Sequence, residues 1–253
     1  MDYAPIVPPQ GLGLFFKYEY TSHMALAQYI LDDPRYAEWY GRERFQAPKS
    51  HLIVDNGIAE GVSLPFREVV EAAEYVRADE VVMPDVMRDA RETIRSTLDQ
   101  HSMSLVPEEN RMLVPQGDDW MSWTYCLSIF TDPQTIRARS IGIAKHLESL
   151  PGGRPHALQI IKDRGVDKRY EIHLLGVWRQ PFAEVRRAAE VLPTIRSIDT
   201  GAPVAYAQRT QALNDIKHYS LSWDAPILIE LAHENLTRYK EFCNGSKAPS
   251  RKV

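Results

Sequence analysis

Six short apolar runs in this chain end in side chains, or glycines, that can do chemistry. HLIVDN, residues 51–56, closes on Asp55-Asn56-Gly57, and EVVMP, residues 80–84, is followed by Asp85. RMLVP, residues 111–115, runs into Gln116-Gly117, and SIGIA, residues 140–144, carries Gly142. EIHLLGV, residues 171–177, brings Leu175-Gly176, and IRSIDTGAPVA, residues 195–205, stops at Asp199 before Thr200, Gly201 and Pro203 break the run. A carboxylate held at a strand end can attack an anomeric carbon while a second carboxylate moves the proton. Asp and Gln together can read a planar base, since the carboxylate accepts N–H donors and the amide both donates and accepts. Glycines let a flat ligand approach the backbone. Three carboxylates, Asp55, Asp85 and Asp199, can also hold Mg²⁺. Each residue taken singly also has a plain role as a cap or turn residue. Their recurrence at corresponding positions sets them apart.

Helical patterns fall between these runs. Residues 64–78 place Val69, Val70, Ala73 and Val76 on one side, and residues 89–100, 118–129, 156–166 and 182–191 also read as helices. GLGLFFKYEY, residues 11–20, is expected to be a first strand, with Ser22 capping the helix after it. Further helices are expected around residues 208–217 and 227–243. Trp120, Trp123 and Tyr125 form an aromatic helix face, which reads as core. Strand–helix alternation of this kind implies parallel strands and right-handed crossovers. The fold expected is an α/β, (β/α)8 TIM-like barrel, with an open doubly wound sheet as the alternative. Its strand ends would meet at one rim. No Gly-x-Gly-x-x-Gly follows a strand, and no Walker A loop is present. One catalytic domain over residues 1–243 and a polar, basic tail over 244–253 are expected.

The bulk properties bound the function. The chain has 253 residues, 44% hydrophobic and 25% charged, which suits a globular core without staples. Cys126 and Cys243 form no ligand cluster, so neither a metal nor a cofactor is expected. No signal peptide and no run long enough to span a bilayer stand out, so the expected place is the cytoplasm. The net charge of −4 is uneven. Residues 1–126 hold 11 basic against 21 acidic side chains, and residues 127–253 hold 19 against 13. A basic second half, with Lys162, Arg164, Lys168 and Arg169, can hold phosphates; overall acidity argues against non-specific nucleic-acid coating.

The order of these endings resembles that of the tRNA-guanine transglycosylases and their relatives that act on DNA. The family's Asp-Ser-Gly-Gly is matched by Asp55-Asn56-Gly57-Ile58, and its base-reading Asp by Asp85. Its Val-Gln-Gly is matched by Val114-Pro115-Gln116-Gly117, with one residue inserted. Its glycine strand is matched by 140–144, its Leu-Met-Gly-Val by Leu174-Leu175-Gly176-Val177, and its nucleophile by Asp199. The zinc cluster of the family has no counterpart, Ala59 replaces its stacking aromatic residue, and only Gly142 of its paired glycines remains. These departures point to the compact branch of phages and bacterial DNA-modification clusters. That resemblance implies exchange of guanine in DNA for a 7-deazaguanine such as preQ0, with DNA a better substrate than tRNA. It implies Asp199 as nucleophile and Asp55 as acid and base. Asp85, Gln116, Gly117, Gly142, Leu175 and Gly176 would bind the base. The other readings are a tRNA-guanine transglycosylase or nucleobase hydrolase, a non-catalytic nucleic-acid or nucleobase-binding barrel, and a metal-dependent hydrolase. For a phage-encoded enzyme, the host cytoplasm would be the site of action.

Overall fold

The computed structural model describes residues 1–17, 20–46, 50–177 and 179–245. Of the expected tail over 244–253, residues 244–245 close the last helix and the rest lies outside the described residues. Eight strands are formed: β1 Asp2–Pro5, β2 Ser22–Leu26, β3 His51–Asp55, β4 Glu80–Val82, β5 Arg111–Leu113, β6 Ser140–Ala144, β7 Glu171–Leu175 and β8 Ser197–Thr200. They form one sheet in the order β1-β8-β7-β6-β5-β4-β3-β2. Each strand beyond β2 thus neighbours the one before it in the chain, and every pairing with a described register is parallel. This is the strand order of a (β/α)8 barrel, as the alternation of runs predicts.

The helices are α1 Ala27–Asp32, α2 Pro34–Gln46, α3 Phe66–Val76, α4 Ala90–Thr97, α5 Gln100–Leu105, α6 Trp120–Phe130, α7 Gly153–Asp163, α8 Pro181–Val191, α9 Ala202–Gln208 and α10 Ile229–Gly245. Their ends follow local chemistry. Asp89 caps α4 by accepting from Glu92 N, and Asp119 and Ser122 form a capping box on α6. Val69, Val70, Ala72, Ala73 and Val76 are the buried face of α3. Burial of each valine there contributes roughly 1.5–3 kcal/mol.

Two compact units divide the chain. One comprises residues 23–144 and 168–171, the other residues 1–22, 145–167 and 172–253. In the first, polar groups tie the N-terminal ends of the strands. Glu80, fully buried at the start of β4, takes His51 Nε2 at 2.6 Å and the Ser140 hydroxyl. Arg111 donates to the carbonyls of Met103, Val106 and Arg137. In the second, Tyr3 of β1 stacks edge-on against Tyr239 of α10, with ring centroids 4.9 Å apart. Both cysteines are buried, and burial pushes each thiol up to about 12, so neither is a reactive thiolate.

Several expectations are corrected. Residues 9–17 form a 3-10 segment rather than a strand, because Pro9, Gly11 and Gly13 interrupt the extended pattern; residues 18–19 of that expected strand lie outside the described residues. The first two strands lie on either side, and Ser22 begins β2 instead of capping a helix. No helix forms over 208–217 beyond its first residue: α9 ends at Gln208, and an irregular stretch runs to residue 228. The α6 aromatic face is only partly core: Trp123 is buried, but Tyr125 is 58% exposed.

Candidate active site

Asp199 sits in β8 with 2% of its surface exposed. Its partner in register on β1 is Ala4, whereas Ile198 pairs with Tyr3. Side chains alternate along a strand, so Asp199 lies on the sheet face opposite Tyr3 and α10, together with Ser197 two residues earlier. His173 of β7 is in register with Ser197 and shares that face. Its Nε2 lies 2.9 Å from Asp199 Oδ1, and its Nδ1 lies 2.7 Å from Ser197 Oγ. Arg196 Nε then donates to Ser197 Oγ at 3.1 Å. One neutral tautomer satisfies the chain: the Ser197 hydroxyl donates to Nδ1, and Nε2–H donates to Asp199.

A second donor reaches the same carboxylate oxygen. Gly176 N donates to Asp199 Oδ1 at 3.1 Å. The turn that presents this N–H needs φ = 64° at Gly176, in the left-handed region. Arg154 holds the turn from behind by donating to Gly176 O at 2.8 Å and Leu175 O at 3.3 Å. Arg154 is itself paired with Glu184 at 2.5 Å, and both side chains are 2% exposed. Glu184 Oε1 in turn accepts from Arg179 N and Gln180 N at the start of α8. Asp199 Oδ1 is therefore fixed, and Oδ2 has no hydrogen-bond donor among the described residues. A buried carboxylate with one oxygen held and one unengaged suits a nucleophile.

The other unit gathers a polar cluster from three successive strand ends. Asp85 is 7% exposed and accepts from Asn56 Nδ2 at 2.7 Å and from Gln116 Nε2 at 2.5 Å. Burial pushes its carboxyl above the usual carboxylate range, opposed by the two amides. The amides are held as well. Asn56 Oδ1 accepts from Ile58 N and Gln116 Oε1 from Arg88 N. Asp85 and Gln116 are thus brought together, with Asn56 beside them. Both Asp85 oxygens are engaged by protein amides, so a base or metal ion would have to displace one of these bonds. Among the described residues no three or more His, Cys, Asp or Glu side chains converge as a metal-holding group.

The remaining candidates have plain positions. Asp55 ends β3 and is half-buried. Gly142 lies buried within β6, and Leu175 ends β7, half-buried. Gly117 has a packing reason: a Cβ there would lie 2.4 Å from Trp123 N, so it lets α6 approach. His173 was not singled out from sequence, and Asn56 entered only as part of the ending Asp55-Asn56-Gly57. The signal was the two-residue spacing: His173 precedes Leu175 by two and Ser197 precedes Asp199 by two, which places each pair on one strand face.

No family model matches the chain, and no curated protein matches it. Solved structures do. The carboxyl transferase domain of Rhizobium etli pyruvate carboxylase is 14% identical with a TM-score of 0.56, covering 97% of this chain and 47% of that one. N-succinyl Arg/Lys racemase from Bacillus cereus is 12% identical with a TM-score of 0.51, covering 92% and 62%. N-acetylneuraminate lyase from Mycoplasma synoviae is 9% identical with a TM-score of 0.49, covering 79% and 69%. The fold is a TIM barrel. At these identities the likeness is one of fold alone, and the chain spans less than two thirds of the first two of those proteins. Among the described residues no helix is long and apolar enough to cross a membrane.

Proposed function

We propose that this chain is a glycosyltransferase that exchanges guanine in DNA for a 7-deazaguanine base through a covalent intermediate on Asp199. One observation carries the reading: Asp199 Oδ1 is clamped by His173 and Gly176 N, and Oδ2 has no described donor. The order of strand endings, from Asp55 through Asp85 and Gln116 to Asp199, supports the same reading. The racemase and the carboxyl transferase domain named above are enzymes of other activities, so they support catalysis on this fold and no particular chemistry.

In the proposed reaction Oδ2 of Asp199 attacks C1′ of the target deoxyguanosine. The C1′–N9 bond breaks, and guanine leaves with a proton supplied by Asp55. The incoming deazaguanine then attacks C1′ through N9, passes its proton to Asp55, and releases Asp199. Two inversions retain the anomer. His173 and Gly176 N hold the carboxylate against rotation and stabilise its charge as it leaves. A guanine stacked in a duplex is out of reach, so the nucleotide must be flipped or single-stranded. Asp85, Asn56 and Gln116 present the carboxylate and amide groups that read a guanine edge once one internal bond is given up.

The test is incubation with labelled guanine or preQ0 and either DNA or tRNA, alongside Asp199→Asn and Asp55→Asn. Incorporation into DNA, lost in Asp199→Asn together with a trapped covalent adduct, is the expected result. Incorporation into tRNA alone would transfer the reading to the tRNA enzymes. Incorporation into neither would end it.

A further inference from the structure

An open cavity of about 360 Å³ lies where the irregular stretch 209–228 meets the start of α8. Arg179, Arg187, Ile216, Lys217 and His218 line it. The tip that carries Ile216 and Lys217 is pinned on every side. Asn214 Oδ1 accepts from the backbone N–H of both residues, and Asp215 accepts from Phe182 N and Ala183 N at the first turn of α8. Asn235 Oδ1 accepts from Leu213 N, Arg238 donates to Leu213 O, and the Tyr206 hydroxyl reaches Asn214 O. Ile216 is nevertheless 87% exposed. A large apolar side chain held out in water by a fixed turn costs hydration and gains no packing.

The charges around it are arranged for an anion. The carboxylates lining the cavity are turned to internal donors: Glu148 to Arg154 N and Arg187, Glu184 to Arg154, and Asp215 to the α8 backbone. Lys217 Nζ, by contrast, has no acceptor among the described residues, and neither does Lys145 Nζ nearby. His218 is held below the usual imidazole range first by burial and then by the charges of Lys145 and Arg179, against Glu184.

We propose that this face binds the phosphodiester backbone of a nucleic acid, with Lys217 facing a phosphate and Ile216 contacting the bases. A free phosphate would use the cations but has no need of an exposed isoleucine. A nucleic acid uses both, since apolar side chains can wedge between stacked bases and so ease the extrusion of one. The inference shares with the proposed function a nucleic-acid substrate and rests on that reading, but its test reads binding rather than exchange.

Fluorescence anisotropy with a short labelled single-stranded DNA, and with RNA of the same sequence, provides that test between about 50 and 200 mM salt. Lys217→Glu is expected to weaken binding roughly tenfold at the low end and to reduce the salt slope by about 1. Ile216→Ser is expected to weaken binding with the slope unchanged. Both residues are exposed, so melting temperatures should match the parent. Unchanged affinity and slope in Lys217→Glu overturns the proposal, as does binding of inorganic phosphate alone with no binding of either oligonucleotide. Asp199→Asn separates the two readings. If it binds DNA like the parent and Lys217→Glu does not, the surface stands even where no exchange is found. If exchange occurs and Lys217→Glu binds normally, the surface alone fails.

Discussion

His173 Nε2 and Asp199 Oδ1 lie 2.9 Å apart, on neighbouring strands, with the imidazole fully buried and the carboxylate nearly so. Desolvating this pair is costly unless both groups are satisfied. Ser197 on the other imidazole nitrogen and Gly176 N on the same carboxylate oxygen meet that requirement. The arrangement gives Asp199 one orientation.

Removing the imidazole should therefore loosen the proposed nucleophile. His173→Phe is expected to lower the exchange rate about 100-fold, the order of loss for a misplaced reacting group. His173→Gln can still donate to Asp199 and should recover part of that rate. Single-turnover kinetics of both variants, at matched folded fractions, measure this. Equal rates in His173→Phe and the parent would show that Asp199 needs no such partner.

Asp85 makes stability depend on pH. Its carboxyl is raised by burial, so the folded state binds its proton more tightly than the unfolded chain does. The sign follows from linkage: this contribution is full below the unfolded value near about 4 and is lost as pH rises through the higher folded value. Urea denaturation at successive pH values from about 4 upward through the folded value should show it, against Asp85→Asn, in which the slope flattens. A parent slope of the opposite sign from this residue would contradict the burial argument.

Two glycines should differ in cost when each becomes alanine. At Gly117 the new Cβ would meet Trp123 N at 2.4 Å and Cα at 2.7 Å, which are backbone atoms that cannot step aside. A loss of about 3 kcal/mol or more is expected. At Gly176 the cost is the left-handed φ, with the flexible Lys145 Cδ at 3.0 Å, and about 1–2 kcal/mol is expected. Gly176→Ala should also slow exchange, because the N–H on Asp199 moves. Chemical denaturation ranks the two.

Arg154 and Glu184 are a buried pair whose single losses should not add. Glu184→Gln leaves the Arg154 charge uncompensated and is expected to cost about 3–5 kcal/mol. Arg154→Met with Glu184→Leu should cost less than the two single changes added together, since no lone charge remains, although the backbone groups that both side chains bond lose their partners. A double-mutant cycle by urea denaturation gives the coupling.

Strands β3 to β8 were legible because each is an apolar run closed by a residue that stops it. β1 and β2 were not. Asp2–Pro5 is four residues with a proline, and Ser22–Leu26 holds a serine and a histidine, both buried. Neither has a local pattern that separates strand from loop or helix, and only pairing within the sheet makes them extended. The apolar content of residues 11–17 carried the opposite signal and formed a 3-10 segment.

The sequence by itself determined the alternation that makes a barrel and the strand ends where Asp55, Asp85, Gln116 and Asp199 stand, since both follow from local periodicity and from residues that terminate strands. Only the tertiary structure decided what those groups touch. It placed His173 and Gly176 N on Asp199 and set Asn56 between Asp85 and the Met83 carbonyl, and it pinned Ile216 and Lys217 out in solvent. The contacts of Asp199 and of Asn56 join residues more than twenty positions apart through strand register. Register is a property of the assembled sheet, which no single stretch of chain contains.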